Sequence, residues 1–168
     1  AAAVATSDKN NQPNVRMVLL KGLSDRGFVF YTNFNSKKGG ELKDNQKSSM
    51  CFHWKSLRRQ VRVIGKVEEV TSKEADDYYN SRPYKNRISA WASSQSQILD
   101  KRETFLNKIK EFEKKYSDEN NVPRPPHWSG WRLMPDEIEF WVDGEGRIHE
   151  RLNYKNTNGE WNKEILYP

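Results

Sequence analysis

Apolar and polar positions alternate with a period of two in several short runs, and only a few stretches carry helical spacing. The clearest alternation is at 60–70. Val61, Val63, Gly65 and Val67 fall on one side, and Arg62, Ile64, Lys66 and Glu68 on the other, which predicts a strand with two distinct faces. Gly65 within it is expected to mark a bulge or bend. Residues 1–6 read as a strand that begins abruptly, and further residues are expected upstream. The runs 15–21 and 28–33 are expected to pair as a hairpin through the turn Ser24-Asp25-Arg26-Gly27. Another strand is predicted at 48–55. The chain returns to strand at 137–142, 147–154 and 161–166, with hairpin turns at 143–146 and 156–159.

Three helices are predicted. Ser36 is placed as the N-cap of a short one containing Lys37 and Lys38. Thr71 and Glu74 form a capping-box pattern that starts a second, running towards Ser81. The third covers 101–116, where Phe105, Ile109, Phe112 and Tyr116 make one apolar stripe for packing. Pro123, Pro125 and Pro126 forbid a regular element in 120–130, so this is an ordered connector. Strands at both ends with helices between predict one α+β domain over 1–168, mainly β, and a meander closing on itself would remove exposed edges.

Composition changes this picture in three ways. A hydrophobic share of 35% would suit disorder, but six tryptophans spread along the chain argue for a packed fold. The net charge of +6 favours anionic partners, such as phosphate esters, nucleic acid or a membrane surface. Lys108, Lys110, Lys114 and Lys115 read as a solvated helix face; Lys37-Lys38 and the arginines inside apolar strands do not. The single cysteine, Cys51, excludes an internal disulfide and reads as a core thiol in a reducing compartment. No apolar run is long enough to span a bilayer, and the start lacks signal-peptide features. The expected location is the cytoplasm, with the mitochondrion as the alternative.

Four clusters carry candidate chemistry. Arg16 and Lys21 bound one strand, but residues five apart face opposite ways and need not bind one group. At 31–38 a strand runs into a helix start, where backbone N–H groups, Ser36 and two lysines are suited to a phosphate. Tyr78 and Arg82, four apart, are expected to share a helix face and could grip a second phosphate, with Gln95 and Ser96 in a polar loop beyond. Arg147, His149 and Arg151 at two-residue spacing are expected on one face of a strand, where three cationic groups call for an anion.

The sequence resembles the pyridoxamine 5'-phosphate oxidase family over nearly its whole length. The resemblance rests on Arg-Met-Val-Leu-Leu-Lys-Gly, Phe-Tyr-Thr-Asn, Arg-Gln-Val-Arg-Val, Ser-Arg-Pro, Ala-Trp-Ala-Ser-x-Gln-Ser, Pro-x-Pro-x-x-Trp, Ile-Glu-Phe-Trp and Arg-Ile-His-Glu-Arg, in this order. It implies an FMN-binding split β-barrel with peripheral helices, working as a homodimer with FMN at the interface. It implies FMN contacts at Arg16, Met17, Val18, Leu19, Leu20, Lys21, Tyr31, Thr32, Lys37, Lys38, Gln60, Gln95, Ser96, Trp141 and Arg151, some reaching the cofactor from the other subunit, Gln60 among them. Substrate contacts are implied at Lys21, Tyr78, Arg82, Asn86, Arg147 and His149, with Arg147 and His149 as the catalytic pair beside the pyridine ring. The implied reaction is oxidation of pyridoxamine or pyridoxine 5'-phosphate by O2, with release of hydrogen peroxide.

The chain departs from the family pattern at Lys37 (usually arginine), Asn86 (usually serine), Ser89 (usually glycine) and Glu150 (usually aspartate), and the N-terminal segment that helps cover the substrate in relatives is expected upstream of residue 1. A split-barrel flavin reductase or carrier would keep Arg16, Lys38 and Gln60 without the substrate set, whereas that set is present here. A nucleic-acid module would need a continuous basic stripe, but the basic residues stand singly within apolar strands. No nucleic-acid or membrane partner and no metal are expected.

Overall fold

A computed structural model describes residues 1–168. The chain is mainly β, with nine strands and four α-helices. In order they are β1 (Ala2–Ser7), β2 (Pro13–Val18), β3 (Gly22–Ser24), β4 (Gly27–Asn33), α1 (Lys37–Asp44), β5 (Lys47–Trp54), β6 (Arg59–Glu69), α2 (Ser72–Asn80), α3 (Tyr84–Ala92), α4 (Arg102–Lys115), β7 (Trp128–Val142), β8 (Glu150–Thr157) and β9 (Glu160–Leu166). Short 3-10 turns occupy Lys55–Leu57 and Glu145–Arg147.

The strand order is β2-β1-β5-β6-β7-β4-β3, with β8 joined to β7 and β9 to β8. This order is not the expected closed meander, since the path ends at β2 and β3. The expected hairpin between 15–21 and 28–33 is also replaced. β2 stops at Val18 and pairs antiparallel with β1, from Ala2↔Val18 to Ser7↔Pro13, and only Gly22–Ser24 pairs with β4. The reason is local. The Asp8 carboxylate accepts hydrogen bonds from the Asn10 and Gln12 amides, and Asn11 takes a positive φ of 62°, so a tight turn follows β1 directly.

Two compact units emerge from the packing. One comprises Ala1–Phe30, Glu41–Glu68 and Trp131–Pro168, the other Tyr31–Gly40 and Glu69–Gly130. The first buries Val4, Phe30, Met50, Val63 and Leu133, each worth about 2 kcal/mol relative to exposure. β6 shows the predicted alternation: Val63, Gly65 and Val67 are buried, while Ile64 and Lys66 are exposed. Gly65 allows a close approach, because a Cβ there would lie 1.9 Å from the Met134 carbonyl oxygen.

The second unit packs Tyr79, Ala90 and Trp128 together, with Tyr31 and Tyr78 against them. The Ser36 hydroxyl accepts from the Gly39 amide at 3.2 Å, so it caps α1 as predicted. The capping box of Thr71 and Glu74 on α2 is complete. α3 was not predicted. It begins after Pro83, buries Ile88 and Ala92, and sets Trp91 against Phe112 of α4 and its C-cap Tyr116 at 5.7 and 5.3 Å. The predicted α4 stripe is therefore half-buried packing. β7 also starts earlier than 137: Trp128–Leu133 is continuously buried and shows no alternation, and Pro135 within the strand masks its continuity.

Candidate active site

In the second unit the site is built around Trp128. Tyr31 stacks on its indole at 5.2 Å with planes 8° apart, and Tyr78 stacks on Tyr31 at 4.1 Å. Gly130 lets this stack close, since a Cβ there would meet the Tyr31 ring at 2.8 Å. The Arg82 guanidinium carbon lies 4.7 Å from the Trp128 ring centroid and 5.8 Å from that of Tyr79. The expectation that Tyr78 and Arg82 share a helix face is corrected here. α2 ends at Asn80, and Arg82 lies beyond the Ser81 C-cap. The two meet through Trp128, not through helical spacing. The buried Nη1 of Arg82 has no hydrogen-bond partner, and burial lowers its pKa, opposed by the nearby Tyr78 and Tyr79. A half-buried cation with a buried open donor and no carboxylate is suited to a phosphate.

A polar cluster lies at the end of β4 and the start of α1. Lys38 is buried, and its ammonium donates to the Thr32 hydroxyl; that hydroxyl donates to Gln95 Oε1 at 3.3 Å. Thr32, Lys38 and Gln95, all predicted cofactor contacts, are thus brought together. The Ser36 hydroxyl is not an available donor, because it donates to the Asn33 carbonyl at 2.6 Å while capping the helix. Lys37 and Ser96 are exposed, and Ser96 adopts a positive φ of 72°. A cleft of about 320 Å³ is lined by Asn33, Trp91, Ser93, Gln95 and His127, among others. Asn86 is exposed in the first turn of α3, and its carbonyl accepts from the Ser89 hydroxyl.

In the first unit, two predicted cofactor arginines are held by buried carboxylates. Arg16 Nη2 donates to Glu41 at 2.9 Å, and its Nη1 donates to Thr6 Oγ1 and the Val4 carbonyl. Burial opposes ionisation of Glu41, but hydrogen bonds from Thr6, Asn14 and Arg16 bring its pKa below the ordinary value. Arg151 grips Glu139 with Nε at 2.9 Å and Nη2 at 3.1 Å, and its Nη1 donates to the Tyr167 carbonyl. The hydrogen bond from Arg151, then the charge of Arg62 at 3.3 Å, hold Glu139 low against desolvation. Each arginine keeps further N–H donors for a ligand. Met17 and Leu19 are exposed, whereas Val18 and Leu20 are half-buried. Lys21 is exposed, with its amide bonded to Val29, and Gln60 is half-buried opposite His53 on β5.

The loop between β7 and β8 corrects the fourth cluster. Arg147 ends a 3-10 turn with φ of 65°, and β8 begins only at Glu150. Arg147, His149 and Arg151 therefore do not share a strand face. Asp143-Gly144-Glu145-Gly146 is part of a longer loop that folds back, and a Cβ on Gly144 would sit 1.9 Å from the Ile148 carbonyl oxygen. His149 packs on Trp141 at 4.7 Å, with its Nδ1 3.1 Å from Asp143 Oδ1. Arg147 is exposed.

The sequence reading missed Trp128 as a centre, and also Glu41, Glu139 and Asp143. Two of these had a signal: Trp128 and Glu139 lie inside quoted motifs, Glu139 two residues before Trp141 on the same strand. The donors fit two phosphate esters, since Arg82 has an unbonded buried donor and the Lys38 cluster joins a cation to hydroxyl and amide groups. No group of His, Cys, Asp and Glu is arranged to hold a metal ion.

Comparison with known proteins identifies relatives of the chain. The chain is 62% identical to a pyridoxine/pyridoxamine 5'-phosphate oxidase of Pelagibacter ubique over all of its length and 81% of the relative. It is 53% identical to the one of Agrobacterium fabrum, covering 82% of it. The crystal structure of PhzG from Burkholderia lata, solved with tetrahydrophenazine-1-carboxylic acid, superposes with a TM-score of 0.94 at 30% identity, covering the whole chain and 82% of PhzG. A pyridoxamine 5'-phosphate oxidase-related, FMN-binding protein from Nostoc punctiforme shares the fold at TM-score 0.79 and 18% identity, covering 99% of this chain and 87% of that one. The fold class is thus the expected one, mainly β and of the FMN-binding split-barrel type. The family described as "Pyridoxamine 5'-phosphate oxidase" matches residues 1–116, and the "Pyridoxine 5'-phosphate oxidase C-terminal dimerisation region" matches 128–168. With both regions matched, the chain belongs to the pyridoxamine 5'-phosphate oxidase family.

Proposed function

We propose that the chain is an FMN-dependent oxidase that converts pyridoxamine or pyridoxine 5'-phosphate to pyridoxal 5'-phosphate, reducing O2 to hydrogen peroxide. The observation that carries this reading is the Arg82 guanidinium, stacked on Trp128 beside Tyr78 with a buried donor unbonded. It is the requirement of a small aromatic phosphate ester: a cation for the phosphate within an aromatic wall. Relatives at 53–62% identity carry the name of this oxidase.

Arg82, Tyr78 and Lys21 bind the substrate phosphate, with Asn86 offering an amide donor on α3. Arg147 and His149 orient the pyridine ring. Thr32, Lys38, Gln95 and Ser96 from the second unit hold FMN, with Lys37 adding a point charge and Tyr31 a ring. Arg16 to Lys21, Gln60, Trp141 and Arg151 are further FMN contacts, some of them reaching the cofactor from the other subunit. When bound, FMN supplies a two-electron acceptor that oxygen can reoxidise. The protein's part is to fix two phosphate esters and hold the substrate carbon in position.

The chain works as a homodimer, with the cofactor at the subunit interface. Exposed apolar side chains support this: Val15 and Met17 on one face of β2, Leu19 just beyond it, and Ile148, Ile165 and Tyr167 in the dimerisation region. The cytoplasm is the proposed compartment; no helix is long and apolar enough to cross a membrane.

The test is an absorbance spectrum of the purified protein before and after anaerobic addition of pyridoxamine 5'-phosphate. Flavin bands that bleach with substrate and return with air are expected. Flavin bands indifferent to substrate would favour a reductase or carrier, and a protein that takes up no FMN would overturn the reading.

A further inference from the structure

We infer that Asp143 is a positioning residue for His149 and that Arg58 holds Asp143 in place. The inference rests on the role of His149 proposed above. Asp143 lies at the end of β7, six residues before His149, in a loop whose sequence reads as nothing more than a turn. In the folded loop its Oδ1 stands 3.1 Å from His149 Nδ1. Its Oδ2 accepts from Arg58 Nε at 2.7 Å and lies 2.5 Å from Arg58 Nη2. The Asp143 amide also donates to the Arg58 carbonyl at 3.0 Å, so backbone and side chain tie the same two residues. Arg58 itself is in the left-handed region, with φ of 53°, as the cap of the 3-10 turn that precedes β6. A non-glycine residue held there by three contacts to one aspartate is a built arrangement, not a chance surface pair.

The chemistry follows from the acceptor-only nature of a carboxylate. The Gly144 amide also lies 3.2 Å from His149 Nδ1, so two arrangements compete. If Nδ1 is bare it accepts from Gly144 but turns a lone pair towards Asp143. If Nδ1 carries the proton it donates to Asp143, and charge assistance makes this the stronger bond. Asp143 therefore selects the Nδ1–H form, and Nε2 of the neutral ring becomes its acceptor. Trp141 packs on the ring and restricts its tilt. His149 and Asp143 side chains are 22% and 26% exposed, covered enough to be held and open enough to meet a ligand. Gly144 is required because the chain passes over it to bring His149 back to Asp143.

The test uses the FMN-loaded enzyme and the variants Asp143→Asn, Arg58→Gln and His149→Gln, with Asp143→Asn/His149→Gln to close a cycle. Asp143→Asn is expected to keep its flavin content and KM while kcat falls roughly tenfold, part of the hundredfold or more that a proton-handling group supplies. In the His149→Gln background the same change is expected to cost nothing further. Arg58→Gln, which acts through Asp143, is expected to lower kcat about threefold in the presence of His149 only. Equal losses with and without His149, or an unchanged kcat in Asp143→Asn, would overturn the inference while leaving the oxidase reading intact. Full turnover in His149→Gln would overturn the role of His149 and this inference with it.

Discussion

Arg82 and Arg151 belong to the same predicted set of ligand-binding cations, yet the fold treats them in opposite ways. Arg151 is gripped at two atoms by Glu139, a carboxylate with only 4% of its side chain exposed, and Arg16 is likewise held by Glu41. Arg82 has no acid partner. It lies on the face of Trp128, burial lowers its pKa, and a buried donor is left unbonded. A clamped arginine offers directed N–H donors with its net charge already balanced, which suits holding a cofactor in one pose. An arginine on an aromatic face keeps its charge, and an arriving anion satisfies it. The difference separates residues that set geometry from residues that attract.

The comparison breaks most sharply at Arg82. Arg82→Ala is expected to raise KM for pyridoxamine 5'-phosphate about a hundredfold, the loss of a charge-assisted pair, with flavin content unchanged. Arg82→Lys should recover only part of this, because a point charge replaces a planar donor. Steady-state kinetics on both variants would decide it, and an unaltered KM would remove Arg82 from the substrate site. Next comes Glu139→Ala, which leaves Arg62 and Arg151 without their shared acid; a loss on the order of 2–3 kcal/mol is expected in denaturant melts. Lys38→Ala should weaken FMN retention about tenfold, read as flavin remaining after dialysis.

The smallest effect concerns pH. Glu41 and Glu139 both titrate below the ordinary glutamate value of 4.5 in the fold. Their contribution is fully present above that value and is lost as pH falls through the lowered folded values. Thermal melts should therefore drop below about pH 4.5. Glu139→Gln should flatten that drop, and an identical acid limb would show that Glu139 carries none of it.

How far the sequence revealed this arrangement differs between the two kinds of site. Local signals read correctly. The Thr71–Glu74 capping box, the Ser36 cap, the α4 stripe and the alternation in β6 all appear in the fold, because each depends on neighbours in the chain. Signals that assumed a continuing element failed. Arg82 was placed on α2 by spacing, but the helix ends two residues earlier. Arg147 was placed on a strand, but Gly146 and Arg147 both take positive φ and turn the chain. α3 was missed because Pro83 reads as a breaker where it begins a helix. The carboxylate partners of Arg16 and Arg151 could not be inferred, since Glu41 lies 25 residues from the first and Glu139 lies 12 from the second, on a neighbouring strand. β1, whose Ala2, Val4 and Thr6 are buried, was legible, but its partner was not, because pairing is decided by competition among all strands.

Trp128 has one more consequence, and it is optical. A buried indole stacked on Tyr31 and overlain by Arg82 sits in a strong local field, whereas Trp54 and Trp161 face solvent at 44% and 43% exposure. Its emission is expected to lie to the blue of theirs and to shift when an anion draws the guanidinium away. With Trp131, the other deeply buried indole, replaced by phenylalanine, that emission is expected to report ligand arrival at Arg82 without any label.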